Sequence, residues 1–427
     1  MDLLDFLNHS PTCYHAVQNT VDILTSEGYQ PLSETEVWSL REGGRYFVTR
    51  GQSALVAFRL PRRDFRGFLL SAAHSDSPTL KIRQSAEAAP VGAIRRLNVE
   101  PYGGMVMRSW MDRPLSAAGR VMVRGDRGIE SRLVDLDRDL LFIPSVAIHL
   151  NREVNRSGAL NAAADLQPIF TQGDMTLRAL VAGELGLPEE HILETELFLY
   201  PRMKATYLGA QGEFIASPRL DDLQCLFACL KGFLAAGAGE SVPALCVFNN
   251  EEVGSVTRQG ADSTFLTDVL ERISAACGKT PGEHRAAVAQ SFLVSADNAH
   301  ALHPAHPELS DKTEAPVLNG GVVLKYNANQ RYTTDALSAA VFTEVCRRAE
   351  VPLQRYSNRP DLPGGSTLGS TAMAHLSVPA VDIGLPQLAM HAACEVAGTR
   401  DTGALIRAMA FYFGCSLCRN GDGSVTL

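Results

Sequence analysis

Three stretches of this chain run apolar and then stop abruptly on acids or a histidine. They are GFLLSAAHSDSP (Gly67 to Pro78), PALCVFNNEEVGS (Pro243 to Ser255) and SFLVSAD (Ser291 to Asp297). A fourth, PAVDIG (Pro379 to Gly384), is followed closely by His391. A strand that is apolar on both faces must be covered on both faces, as in the centre of a parallel sheet. The segments between and beyond these runs have helical spacing: LDDLQCLFACLKGFLAAGAG, FLTDVLERISAAC and ALSAAVFTEVCRRAE. Strands alternating with helices predict an α/β fold, with a mostly parallel sheet flanked by helices. Near the start, Ser10 and Pro11 predict a helix N-cap and first turn, with Gly28 as the stop. From about Ala88 to Tyr207 the pattern changes to short strands with turn signals, as in SWMDRPLSAAGRVMVRGD and ELFLYPRMKATYLG. One helical stretch, Asp174 to Leu185, interrupts them. The expectation is an α/β domain of residues 1–87 and 208–427, with a mainly β domain of residues 88–207 inserted.

The chain has 427 residues, enough for two domains. Hydrophobic residues make up 45% and charged residues 20%, the balance of a soluble globular protein. No apolar run of about eighteen residues predicts a membrane span. A net charge of -8 without a Lys/Arg run argues against a nucleic-acid partner. The opening MDLLDFLNHSP carries no basic residue and does not read as a secretory signal. The nine cysteines are odd in number and several, such as Cys225, Cys229 and Cys346, sit in apolar helical patterns. That usage fits free thiols in a reducing compartment, so a cytoplasmic location is expected. Cys415 and Cys418 form the one CxxC pair and are expected to be structural.

The ends of the predicted strands collect a particular set of side chains. His74 and Asp76 follow the first run, Glu251 and Glu252 the second and Asp297 the third. His391 follows the fourth, and Asp221 opens a long helix. Open α/β sheets place their chemistry at the carboxyl ends of the strands. Imidazoles and carboxylates are ligands for zinc, and also for manganese or cobalt. If the strands are neighbours, His74, Asp221, Glu252, Asp297 and His391 converge, and five such ligands exceed the need of one catalytic zinc and suit two metals sharing a carboxylate. Each residue also has an ordinary explanation. His74 fits a core histidine and Asp221 a helix N-cap. Asp297 and His391 fit loop residues, and the paired glutamates fit a solvated loop with two surface acids. A serine hydrolase is poorly supported, because GGSTLGS (Gly364 to Ser370) lacks the G-x-S-x-G pattern.

The motifs AHSDSP, SPRLDDL, NNEEVGS, SADNAHALHP, LNGGVVLKYNANQRYTT and VDIGLPQLAMHAACE, in this order, resemble those of the aspartyl aminopeptidase family of dinuclear zinc exopeptidases. FLNHSPTCYHAV and IPSVAIHLNR also look like that family. The resemblance implies two divalent metals per chain, most simply zinc. His74 and Asp297 would hold one and Glu252 and His391 the other, with Asp221 bridging. It implies Glu251 as the general base and Asp76 as the partner of the second His74 nitrogen. It places Lys325 and Tyr332 around the substrate, although a solvated strand face equally explains Lys325. It implies removal of N-terminal residues, preferentially Asp and Glu, from peptides. The insert would build a dimer, with His149 reaching the neighbouring active site, although a structural histidine on a strand explains it too. Such dimers would assemble into a dodecamer. Two positions depart from the family pattern. Asp222 stands where asparagine is common, and Cys394 where an arginine is common, which bears on the acidic-residue preference. The competing readings are an amidase or deacylase on the same fold, and a non-catalytic scaffold or cargo protein.

Overall fold

The computed structural model describes residues 1–362, 364–365 and 367–427, with only the backbone of Ser157. Ser366 of the GGSTLGS segment lies outside the described residues. The main sheet has nine strands. Its centre is four parallel neighbours in the order Val242–Phe248, Phe68–His74, Phe292–Ala296, Ala380–Gly384. All four are buried at every residue, as their apolar runs require. Antiparallel partners bound this core: Ala54–Arg59 beside Val242–Phe248, and Val322–Tyr326 beside Ala380–Gly384. The sheet is therefore mixed, with a parallel centre.

Helices cover both faces. One face packs Cys13–Ser26, Leu220–Ala235, Ala336–Arg348 and Asp401–Gly414 in a single apolar cluster. The other packs Phe265–Ala276 and Leu368–Leu376. Tyr412, fully buried on Asp401–Gly414, puts its hydroxyl 3.1 Å from the Leu70 carbonyl and 2.7 Å from that of Phe292. One helix is thereby pegged to the two central strands that end at His74 and just before Asp297. The helix expected at Ser10 starts at Cys13, with Thr12 at the N-cap position but no side-chain capping bond. Ser10 is not free to cap it: its hydroxyl accepts the Asn19 side-chain amide, and Leu3–Asn8 forms a separate helix capped by Asp2. The helix expected from Asp174 spans Leu177–Leu185, capped by the Thr176 hydroxyl and ended by Gly186 at φ +64.

A second, antiparallel sheet of seven strands runs from Thr79–Glu87 to Ile192–Pro201. Ile192–Pro201 pairs with both Thr79–Glu87 and Pro114–Gly125, which curls the sheet toward closure around its own apolar core. The chain is thus α/β with an inserted β unit. A third sheet of five short strands was not legible in the sequence. It joins Phe214–Ser217, Glu395–Gly398, Pro386–Leu388 and Ala299–His300, with Thr206–Leu208 at its edge. These segments lie immediately before Asp221, after His391, before His391 and after Asp297. No helix among the described residues is long and apolar enough to cross a membrane.

Candidate metal centre

The topology brings the strand-end residues together. Asp221 lies at the middle: its Oδ1 is 3.4 Å from His74 Nε2, and its Oδ2 is 3.4 Å from His391 Nε2. His74 Nε2 is also 3.8 Å from Asp297 Oδ1, and His391 Nε2 is 3.5 Å from Glu252 Oε2. Two donor triads result, His74/Asp221/Asp297 and Asp221/Glu252/His391, and they share Asp221. A third group, His74/Glu251/Glu252, places both glutamates at the same centre. In each group one donor atom per residue lies within 4.8 Å of the others.

Both imidazoles are oriented by carbonyls. His74 donates Nδ1–H to the Asp76 carbonyl at 3.0 Å, and His391 donates Nδ1–H to the Gly104 carbonyl at 2.8 Å. A carbonyl only accepts, so each neutral ring keeps its Nε2 lone pair for the centre. The Asp76 carboxylate stands 3.5 Å from His74 Nδ1. Its oxygens instead accept the backbone N–H of Glu251 and of Glu252, both at 3.2 Å, and the Tyr102 hydroxyl at 2.6 Å. The two glutamates occupy one 3-10 turn, Glu251–Val253, entered through Asn250 at φ +62. Asp221 and Asp222 have non-helical backbone angles at the start of Leu220–Ala235. Asp222 is fully buried and accepts the His74 backbone N–H at 3.1 Å.

Charge is the problem this centre has to solve. Asp221 Oδ1, Asp222 Oδ1 and Glu252 Oε1 are buried without a hydrogen-bond partner. Unpaired buried carboxylate oxygens are costly, and cations are the usual remedy. Burial pushes the Glu251 carboxyl up to about 8; the nearby His74 counters this, while Asp297 and Asp76 add to it. Burial likewise raises Glu252, with Asp221 adding to it. Burial alone would lower His74, but the facing carboxylates of Asp221, Asp297 and Asp76 outweigh it and raise that imidazole well above its usual range. His391 rises to about 9, where Asp221 likewise overcomes burial. The same carboxylates that favour a proton on these rings favour a divalent cation. The imidazole and carboxylate set fits zinc.

Lys325 supplies one fixed positive charge. It is buried, not on a solvated face, and its ammonium lies 3.6 Å from Asp297 Oδ2 and 5.4 Å from the centre of the Tyr332 ring. Tyr332 is also buried. His149 takes no part in this cluster. It lies in an exposed turn rather than on a strand, beside the exposed apolar Val146, Ile148 and Leu150. Cys394 is partly buried, and its thiol lies 3.8 Å from the Glu395 carbonyl oxygen.

Sequence reasoning missed several contributors. Tyr102, Gly103 and Gly104 come from the inserted sheet. Gly103 has φ +73, and a Cβ there would meet Glu252 Cβ at 3.0 Å, so glycine permits this approach. Glu395, quoted within a motif but given no role, is buried. It accepts the backbone N–H of His391 at 2.7 Å and of Asp221 at 3.1 Å.

Fold and donor set together define a metal-dependent hydrolase on a helix-flanked sheet. Comparison with known proteins narrows the class. The family model described as Aminopeptidase I zinc metalloprotease (M18) matches residues 6–413. A Clostridium novyi (strain NT) protein named Probable M18 family aminopeptidase 2 is 40% identical over 411 residues, 94% of this chain and 95% of its own. Among solved structures, a chain from the Ape4 and Nbr1 complex is 36% identical, with a TM-score of 0.93, covering 97% of this chain and 85% of its own. A chain of the S. cerevisiae mApe1 dodecamer is 27% identical, with a TM-score of 0.86, covering 96% and 95%. The chain belongs to the M18 aminopeptidase family, whose members are zinc metalloproteases.

The division of labour at Asp76 is testable. Asp76→Asn keeps the carbonyl that orients His74 but presents one acceptor oxygen where two glutamate N–H groups and Tyr102 converge. A lost bond to a charged group costs about 1.5–3 kcal/mol. Asp76→Asn is therefore expected to lower kcat/KM about 10–100-fold while metal content stays at the wild-type level. Loss of metal as severe as that in His74→Ala would contradict this assignment.

Proposed function

We propose that this aminopeptidase uses two metal ions per chain and favours peptides with N-terminal Asp or Glu. The observation that carries the reading is Asp221, whose two oxygens face different histidines at equal distance. Residues 1–78 and 208–427 would form the catalytic unit and 79–207 the dimerisation unit, in place of the boundary expected at 87/88. The strand Thr79–Glu87 goes with the insert, because it pairs there. His74 and Asp297 would hold one ion, Glu252 and His391 the other, and Asp221 both. Zinc bound there supplies Lewis acidity toward the scissile carbonyl and lowers the pKa of the attacking water. Glu251 accepts that water's proton and returns it to the leaving amine. Its carboxyl sits in the same donor group as His74 and Glu252, and Asp76 fixes its backbone. An amidase or deacylase reading gains nothing from the family match. A non-catalytic scaffold predicts broken ligand positions, and all are present.

The buried Lys325 ammonium supports recognition of an acidic side chain, with Tyr332 packed against it. A charge-assisted bond of this kind contributes about 1–3 kcal/mol. Rates on Asp, Glu and Ala aminoacyl amides and on N-acyl amino acids test the substrate class. Lys325→Met is expected to lower the Asp-to-Ala ratio of kcat/KM about 5–100-fold. The ratio is the readout because Lys325 also faces Asp297 and its loss will alter the absolute rate. An unchanged ratio removes Lys325 from specificity.

His149 would act across a dimer, donating to the oxyanion of the tetrahedral intermediate in the neighbouring chain. Its exposed turn and the apolar side chains around it support a projecting arm. The solved relative named as a dodecamer supports assembly beyond a dimer. His149→Ala and Glu251→Gln chains should each be nearly inactive. Dissociated and reassembled together, they should form mixed dimers in which one site has its own Glu251 and the partner's arm. Activity should then rise well above either parent; mixed dimers without that rise would contradict the arrangement.

A further inference from the structure

Glu395 is 2% exposed, and no cation pairs with it among the described residues. Its two oxygens do separate work. Oε1 accepts the backbone N–H of His391, and Oε2 accepts that of Asp221, from a segment 174 residues away in the chain. His391 has φ +66, a backbone region that side chains other than glycine enter only when their surroundings demand it. The N–H of this residue is what Glu395 holds. Glu395 is in turn fixed from outside the centre. It opens the strand Glu395–Gly398, which pairs with Phe214–Ser217 so that Glu395 stands opposite Ser217, four residues before Asp221.

We infer that Glu395 is a positioning residue that sets the separation of Asp221 and His391, and through it the affinity of the metal position those two share with Glu252. The inference rests on the two-metal reading above. A carboxylate suits the task because it offers two acceptors for two N–H groups. Glutamine of the same size offers one acceptor and turns an NH2 toward the other N–H. Aspartate is one methylene short. Without two acceptors, one of the two backbone segments loses its anchor and Asp221 and His391 no longer keep their spacing. The other metal position also takes Asp221, but its further ligands His74 and Asp297 are oriented by the Asp76 carbonyl and by Lys325, so one of its three ligands rests on Glu395 where the first position has two.

The test is cobalt(II) titration of chelator-treated wild type and Glu395→Gln, with stepwise dissociation constants from chelator competition and the visible absorption of each bound ion. Circular dichroism and thermal unfolding of the chelated chains serve as the fold control. Removal of a group that supports ligands typically weakens metal binding about 10–100-fold. The variant is expected to fold like wild type and to bind one cobalt with a constant closer to wild type than that of the other; equal weakening of both would overturn the assignment. It should bind the second about 10–100-fold more weakly, with altered absorption. Two wild-type constants with wild-type spectra would overturn the assignment. A chelated variant that fails to fold would overturn it as well, because the carboxylate would then serve the fold and not the metal. A wild-type chain that binds fewer than two cobalt ions would instead overturn the two-metal reading on which the inference rests.

Discussion

One buried carboxylate between two imidazoles organises this molecule. Asp221 presents a different oxygen to each histidine at 3.4 Å, and its Oδ1 has no hydrogen-bond partner. A carboxylate in that position is unfavourable without concentrated positive charge. The surrounding structure is arranged to keep it there. Central strands deliver His74 and Asp297 from adjacent positions of the parallel core. The five-stranded sheet ties the segments flanking Asp221, Asp297 and His391 to one another. The inserted sheet closes the centre with Tyr102, the Gly103 approach to Glu252 and the Gly104 carbonyl on His391.

The electrostatics follow from the same arrangement. Asp221, Glu251, Glu252 and Asp297 converge with two histidines and one buried lysine. Burial and mutual repulsion raise the glutamates, while the carboxylates raise both histidines. These shifts share one origin, an excess of negative charge in a region with little water, and zinc as the family's metal answers that excess. Lys325 offsets only part of it, from the Asp297 side.

The legible part of the fold and site was the local part. Apolar runs such as FLLSAA and LCVF dictate buried strands, and the polar residues that end them fall where an open α/β sheet exposes its strand ends. The candidate donors could therefore be placed by counting along each strand. What the sequence hid depends on approach between distant segments. Nothing local marks Glu395 as the acceptor for Asp221, or Gly103 as the residue against Glu252. Lys325 looks like a solvated strand residue until Asp297 and Tyr332 are packed onto it. Ser10 looks like a helix cap until Asn19 takes its hydroxyl. Asp76 partners the second His74 nitrogen, as the motif implies, but does not use its carboxylate. The main-chain carbonyl makes the bond, a distinction that side-chain identity cannot encode.

The central claim is that Asp221 belongs to both metal positions and His74 to one. Metal analysis of wild type, His74→Ala and Asp221→Ala, purified in parallel and each shown to be folded, tests it most directly. The account predicts two zinc ions per wild-type chain, one after loss of His74, and neither retained after loss of Asp221. Two tightly held ions in Asp221→Ala would contradict it.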